Sequence, residues 1–167
     1  MQRADNLEFF CGKRVFVTGH TGFKGSWLCK ILQIAGAEVT GFALAPSTEP
    51  TLFQMIDAGD NINSVIGDVR DYAMLKRTFD AARPEIVFHL AAQPLVRESY
   101  RDPRSTYETN VMGTVNLLEC ARLSTTTRSL LNVTTDKVYK NREWVWGYRE
   151  EELLDGQDPY SNSKSCS

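Results

Sequence analysis

Long apolar runs are missing. Nowhere do about 18 consecutive apolar residues occur, so no transmembrane helix and no membrane partner are expected. Histidine is scarce, with two in 167 residues, and none of the four cysteines (Cys11, Cys29, Cys120, Cys166) is paired in a C-x-x-C spacing. No zinc pattern can be assembled from that set, and no metal site is expected. Four cysteines do not make a disulfide scaffold in a chain of this length, which points to free thiols in a reducing cytoplasm. With 6 Pro and 11 Gly, collagen-like and linker-like compositions are excluded. An excess of one charge sign is lacking too: 19 basic residues stand against 21 acidic ones. That balance gives no long-range field for nucleic acid or an anionic membrane, so neither is expected as a partner. The N-terminus, MQRADNLEFF, carries Asp5 and Glu8 in place of an apolar core, and no secretory leader is expected.

What is present is an average globular composition, 42% hydrophobic and 24% charged, in a chain sized for one domain. Short β-like runs alternate with longer helical ones. Strands are expected at 14–18, 38–44, 65–66, 85–90 and 129–134. Helices are expected at 23–36, 52–58, 71–82 and 103–123, and 136–159 reads as irregular and aromatic-rich. Strands alternating with helices imply right-handed crossovers and a parallel sheet. The expected fold class is therefore α/β, a doubly wound, Rossmann-like parallel sheet. The chain ends at Ser167, just as Pro159-Tyr160 opens another helix, so a C-terminally truncated form of that fold is expected.

Gly19-His-Thr-Gly22-Phe-Lys-Gly25 follows the first strand and opens the first helix. Gly19 permits a tight turn, Gly22 lets backbone amides approach a pyrophosphate, and Gly25 lets the helix pack close to the strand. The helix start then supplies free N–H donors and a positive dipole end. A P-loop is the competing phosphate reading, and it fails because the order is Lys24-Gly25-Ser26, not Gly-Lys-Ser/Thr. A ribose-binding acid is expected about 20 residues on. Residues 43–47 read Ala-Leu-Ala-Pro-Ser, so NAD and NADP are not distinguished there. Lys24 is open to two roles, contact with a 2′-phosphate or plain solvation. Asp68 is open to two as well, a carboxylate near the adenine amino group or a turn cap.

Tyr160-Ser-Asn-Ser-Lys164 places a phenol and an ammonium four residues apart, on one face of a helix. A nearby cation favours the phenolate, which then accepts a proton from a sugar hydroxyl as hydride leaves the carbon. Strand five runs into Thr134-Thr135-Asp136-Lys137, and residues at the carboxyl end of a parallel strand face the ligand crevice.

With these motifs on the page, the chain resembles the N-terminal half of an extended short-chain dehydrogenase/reductase, and more narrowly the sugar-nucleotide 4,6-dehydratases. The residues that carry the likeness are 19–25, His89-Leu-Ala-Ala-Gln93, Thr109-Asn-Val-Met-Gly-Thr114, 134–137 and 160–164. Gly22 to Trp27, Ala92 to Arg97 and Asn141-Arg-Glu-Trp-Val-Trp-Gly-Tyr148 resemble the CDP-glucose branch.

The resemblance implies NAD as cofactor, held by Gly19, Thr21, Gly22, Phe23, Lys24, Gly25, Asp68, Val69, Leu90, Ala91, Ala92, Thr109, Thr134, Tyr160 and Lys164. It implies a nucleotide sugar, CDP-glucose, as the small-molecule substrate, with Gln93, Arg97 and Asn141 as contacts; Arg97 is open to two roles, that contact or an exposed arginine at a helix end. It also implies a catalytic set of Thr135, Asp136, Lys137, Tyr160 and Lys164. Tyr160, supported by Lys164 and Thr135, takes the C4 hydroxyl proton while hydride passes to NAD. Water is then lost across C5 and C6, with Asp136 as the acid, and hydride returns to C6. The product is CDP-4-keto-6-deoxyglucose, an intermediate toward dideoxyhexoses and O-antigen polysaccharide. Lys137 stands where dTDP-glucose relatives carry a Glu base, which leaves the C5 base open between Lys137 and another group. Trp144 and Trp146 are open to two roles, a packed loop or a cover over the sugar site.

The domain organisation implied is one NAD-binding domain over 1–167, with the substrate-binding domain absent from the chain. A homodimer is implied for a full-length relative, through helix 103–123 and the helix after Tyr160. A non-catalytic NAD-binding fragment and a related epimerase or reductase are the alternative readings.

Overall fold

The computed structural model describes residues 5–167; residues 1–4, on which the expected lack of a leader partly rests, lie outside the described residues. Five parallel strands form one sheet: β1 (Arg14–Thr18), β2 (Glu38–Ala43), β3 (Asn63–Ile66), β4 (Ile86–His89) and β5 (Ser129–Asn132). Their order is β3-β2-β1-β4-β5. The order reverses between β1 and β4, which makes the crevice at their carboxyl ends the place where a ligand binds in such folds. The helices are α1 (Asp5–Glu8), α2 (Phe23–Ile34), α3 (Leu52–Met55), α4 (Tyr72–Ala82), α5 (Val96–Arg101), α6 (Pro103–Tyr107), α7 (Gly113–Leu123) and α8 (Pro159–Cys166). No described helix is long and apolar enough to cross a membrane.

A core lies on each side of the sheet. Phe16, Phe42 and Val87 pack against Leu75 and Phe79 of α4 and Leu117 and Cys120 of α7. Val15, Val17, Val39 and Ile86 pack against Cys29 and Leu32 of α2. The strands are short continuous apolar runs because both faces are covered. On α2 the periodic residues divide: Leu32 is buried, whereas Trp27, Ile31 and Ile34 face outward.

Several expected bounds shift. β5 stops at Asn132, two residues before the expected end, and the helix expected at 52–58 stops at Met55. Asp57 takes φ 50°, a left-handed conformation that does not continue a helix. The helix expected at 103–123 begins with Pro103 in its first turn but is interrupted by a π turn at Glu108–Met112, and α5 precedes it. A π turn is frequently found at functional sites. Here it carries Asn110, whose buried amide accepts from Gln93 N (2.8 Å) and donates to Ser163 Oγ (2.9 Å) of α8. Tyr107 Oη donates to Asn162 (2.6 Å), so α8 is fastened to this helix at two points.

Candidate functional site

The glycine turn fits a diphosphate for reasons visible atom by atom. A Cβ on Gly19 would lie 2.8 Å from Ala91 N, and one on Gly25 only 2.1 Å from the Gly19 carbonyl oxygen. Gly19 also holds φ +74°, a region that favours glycine. Gly22 caps α2 without a side chain, so no side-chain oxygen occupies the first-turn amides. Those amides and the helix dipole remain directed at the crevice, where an anion binds.

The crevice is a cleft of 580 Å³ along the carboxyl ends of the strands. That volume lies within the range for small-molecule sites, about 300–1,000 Å³. Gly19, Thr21, Gly22, Phe23, Lys24 and Gly25 line it from the turn, with Asp68 and Val69 from beyond β3. Leu90, Ala91 and Ala92 line it from beyond β4, Thr109 from the π turn and Thr134 from beyond β5. Tyr160 and Lys164 line it from α8. All fifteen residues put forward for the cofactor thus converge on one cleft, from segments far apart in the chain.

Lys164 is buried, 4% exposed, and burial holds its ammonium below the ordinary lysine range. Tyr160 lies one turn earlier, half-buried. Its helix starts at Asp158, whose carboxylate accepts from Ser161 N (2.9 Å), followed by Pro159 in the first turn. A buried polar chain ties α8 to the root of the glycine turn. Thr18 Oγ1 accepts from Leu90 N and Ala91 N, and it lies 2.6 Å from His89 Nδ1. His89 Nε2 is 3.0 Å from Thr114 Oγ1, whose hydroxyl donates to the Asn110 carbonyl (2.7 Å). That pattern makes Nδ1 the acceptor and Nε2 the donor, so the ring is neutral. Burial pushes His89 down to about 4, and the Lys164 charge acts in the same direction. From Asn110 the chain continues through Ser163 Oγ to the Tyr160 carbonyl (2.7 Å).

The remaining candidates do not line the cleft. Thr135 caps a 3₁₀ turn, Asp136–Val138, and donates to Asp136 Oδ1 (2.9 Å). That bond, with the Lys137 charge, holds the Asp136 carboxyl below its usual range. Lys137 Nζ lies 3.6 Å from Asp136 Oδ1, and both side chains are open to solvent. Lys137 therefore lacks the burial that a lysine base requires. Gln93 uses its amide within the chain, donating to Leu95 O and Thr106 Oγ1 and accepting from Leu95 N. Arg97 is exposed on α5. Asn141 accepts from Glu143 N (3.0 Å), inside an exposed loop where Tyr139 stacks on Tyr148 and Arg142 lies over Trp144.

Sequence reasoning missed Arg70. It lines the cleft and grips Asp68 with a fork, Nε to Oδ2 at 2.9 Å and Nη2 to Oδ2 at 2.6 Å. This hydrogen bonding is the main reason the Asp68 carboxyl sits below its usual range. Asp68 also accepts from Arg70 N (2.9 Å), so its turn-capping role is present in the structure, and the carboxylate still reaches the cleft. The spacing of two, Asp68 to Arg70, was the available signal. Residues 43–48, the end of β2 and its exit loop, line the cleft with no charged side chain.

Comparison with known proteins agrees with this fold. Residues 16–167 match the family described as GDP-mannose 4,6 dehydratase. The chain is 57% identical to the CDP-glucose 4,6-dehydratase of Salmonella typhimurium, over 95% of this chain and 44% of that protein. It is 31% identical to a probable dTDP-glucose 4,6-dehydratase of Sinorhizobium fredii, over 92% of this chain and 47% of that one. Among solved structures, an epimerase from Methanothermobacter thermautotrophicus superposes with a TM-score of 0.82 at 28% identity, covering 98% of this chain and 47% of its own. A UDP-glucose 4-epimerase from Brucella ovis in complex with NAD gives 0.77 at 29% identity, covering 90% and 44%. The chain spans about half the length of the curated relatives it matches.

Proposed function

Because the chain belongs to the GDP-mannose 4,6-dehydratase family, we propose that it is the NAD-binding domain of a hydro-lyase that converts CDP-glucose to CDP-4-keto-6-deoxyglucose and water. The observation that carries this reading is the convergence of the glycine turn with Tyr160 and Lys164 on one cleft. The choice of CDP rests on the 57% identity to the Salmonella enzyme. The whole of 1–167 is read as one NAD-binding domain, with the substrate domain outside it.

NAD, when bound, supplies a hydride acceptor and later a donor. The rest of the chemistry belongs to this chain. The first-turn amides of α2 hold the diphosphate. The choice of NAD follows the similar UDP-glucose 4-epimerase from Brucella ovis, whose structure is a complex with NAD. Tyr160 Oη accepts the proton of the sugar C4 hydroxyl, with the Lys164 ammonium one turn away on the same helix. Thr135 Oγ1 donates to Asp136 and keeps that carboxylate oriented. Asp136 is ionised in the open chain, so its role as the C6 acid requires a sugar to enclose it and raise its affinity for a proton. Gln93, Arg97 and Asn141, none of which lines the cleft, are proposed as sugar-nucleotide contacts.

A homodimer forms part of the proposal. Met112, Val115 and Leu118 expose 45–52% of their surface along one side of the π turn and α7, a stripe suited to an identical partner. A cytoplasmic location is proposed from the four free cysteines. The test is incubation of the full-length protein, substrate domain included, with CDP-glucose and NAD, followed by mass spectrometry of the sugar. Loss of one water supports the dehydratase. An unchanged product mass, the outcome for an epimerase, overturns it, as does the absence of bound NAD.

A further inference from the structure

His20, inside the glycine turn, is fully buried and has no part in the chemistry above. Its surroundings show what it does. β1, β2 and β3 are in register along a row, Val17 opposite Gly41 and Gly41 opposite Ser64. The His20 ring lies across this row. A Cβ on Gly41 would stand 2.4 Å from His20 Cγ, so the ring occupies the space a β2 side chain would fill. Past Gly41 the ring reaches β3, with Nε2 2.7 Å from Ser64 Oγ. Phe53, just after the entry to α3, closes the far side edge-on at 5.3 Å. Nδ1 is buried without a well-formed hydrogen bond, and the Phe42 carbonyl that acts on the ring already accepts from Gly19 N.

The residues on either side of His20 are tied to the same region. Gly19 N donates to the Phe42 carbonyl (2.9 Å), and Thr21 Oγ1 donates to the Leu44 carbonyl (2.8 Å). Three successive residues of the turn therefore grip the end of β2, and only His20 reaches over it to β3. The first-turn amides and the 43–48 rim are the two ends of the cleft that a dinucleotide diphosphate and its adenosine ribose would span.

We propose that His20 is a positioning residue, a strut from the phosphate-binding turn across Gly41 to Ser64 that fixes the distance between the turn amides and the ribose rim. The proposal rests on the reading that this cleft takes NAD. It predicts that Ser64, an exposed residue outside the cleft on an edge strand, governs cofactor affinity. One neutral hydrogen bond is worth about 0.5–1.5 kcal/mol, which converts to roughly 2- to 12-fold in affinity.

The experiment is NAD titration by calorimetry on the protein and on Ser64→Ala and Ser64→Thr, with thermal midpoints recorded for all three. Expected are a 3- to 10-fold weaker Kd for Ser64→Ala at a nearly unchanged midpoint, and recovery in Ser64→Thr, which restores the hydroxyl. Gly41→Ala, which presses on the ring, should weaken binding further, and its effect should be non-additive with Ser64→Ala. NAD affinity equal to the parent's in Ser64→Ala overturns the strut, as does an affinity loss matched by a collapse of the midpoint in both Ser64 variants. If the parent protein itself binds no NAD, the cofactor reading fails first and the strut falls with it.

Discussion

Lys164 is a buried cation whose lowered proton affinity comes from burial alone, with no opposing carboxylate. Such a group weakens the fold and is retained for what its charge does to a neighbour. On the proposed reading, Lys164→Met in the full-length protein is expected to lower dehydratase turnover by at least about 10²-fold. Its urea midpoint should be equal to or higher than the parent's. A clearly lower midpoint would show that the ammonium is structural. Gly25 gives the opposite case. Gly25→Ala drives a Cβ into the Gly19 carbonyl and toward His20 Cα, both backbone atoms that cannot swing away. Overpacking of this kind costs about 1–3 kcal/mol, visible as a lowered urea midpoint together with lost NAD binding.

At the scale of elements, the sheet is bolted to its helices through two neutral imidazoles. His89 joins β1 to α7 through Thr18 and Thr114, and His20 joins the glycine turn to β3. Burial pushes both down to about 4, against the Phe42 carbonyl for His20 and with the Lys164 charge for His89. Between the unfolded value of about 6.5 and that folded value, the unfolded chain binds more protons. Stability therefore falls as pH drops through this window and levels off below it. A shift of this size corresponds to about 3 kcal/mol per imidazole. Urea midpoints measured from pH 7 to pH 4.5 should fall accordingly, and His89→Gln should flatten the slope. A midpoint independent of pH across that range would refute the account.

For the molecule as a whole, apolar residues face outward on both sides of the sheet, Trp27, Ile31 and Ile34 on α2 among them. The α2 side and the α4–α7 side each cover a buried core, yet the outward side of the π turn and α7 still presents Met112, Val115 and Leu118. If that stripe pairs two copies, Leu118→Lys should convert a dimer into a monomer in sedimentation equilibrium without lowering the monomer's far-UV helical signal. An unchanged mass would remove this surface from the interface.

Local chemistry was enough to read the five strands, the crossover helices and the glycine turn. Strand periodicity, Gly19 at a positive φ and the close approach at Gly25 are properties of neighbouring residues, which is why Gly19–Gly25 and the Tyr160–Lys164 pair were legible. The π turn was not, because Asn110 earns its place only through Gln93 and Ser163, 17 and 53 residues away. The fork of Arg70 on Asp68, the solvent exposure of Asp136 and Lys137, and the reach of His20 over Gly41 likewise depended on the packed state. The chain alone determined what kind of sheet would form and where its glycine turn would lie. Only the folded molecule decided which side chains meet around the cleft, because burial and long-range hydrogen bonding act between residues that no local pattern connects.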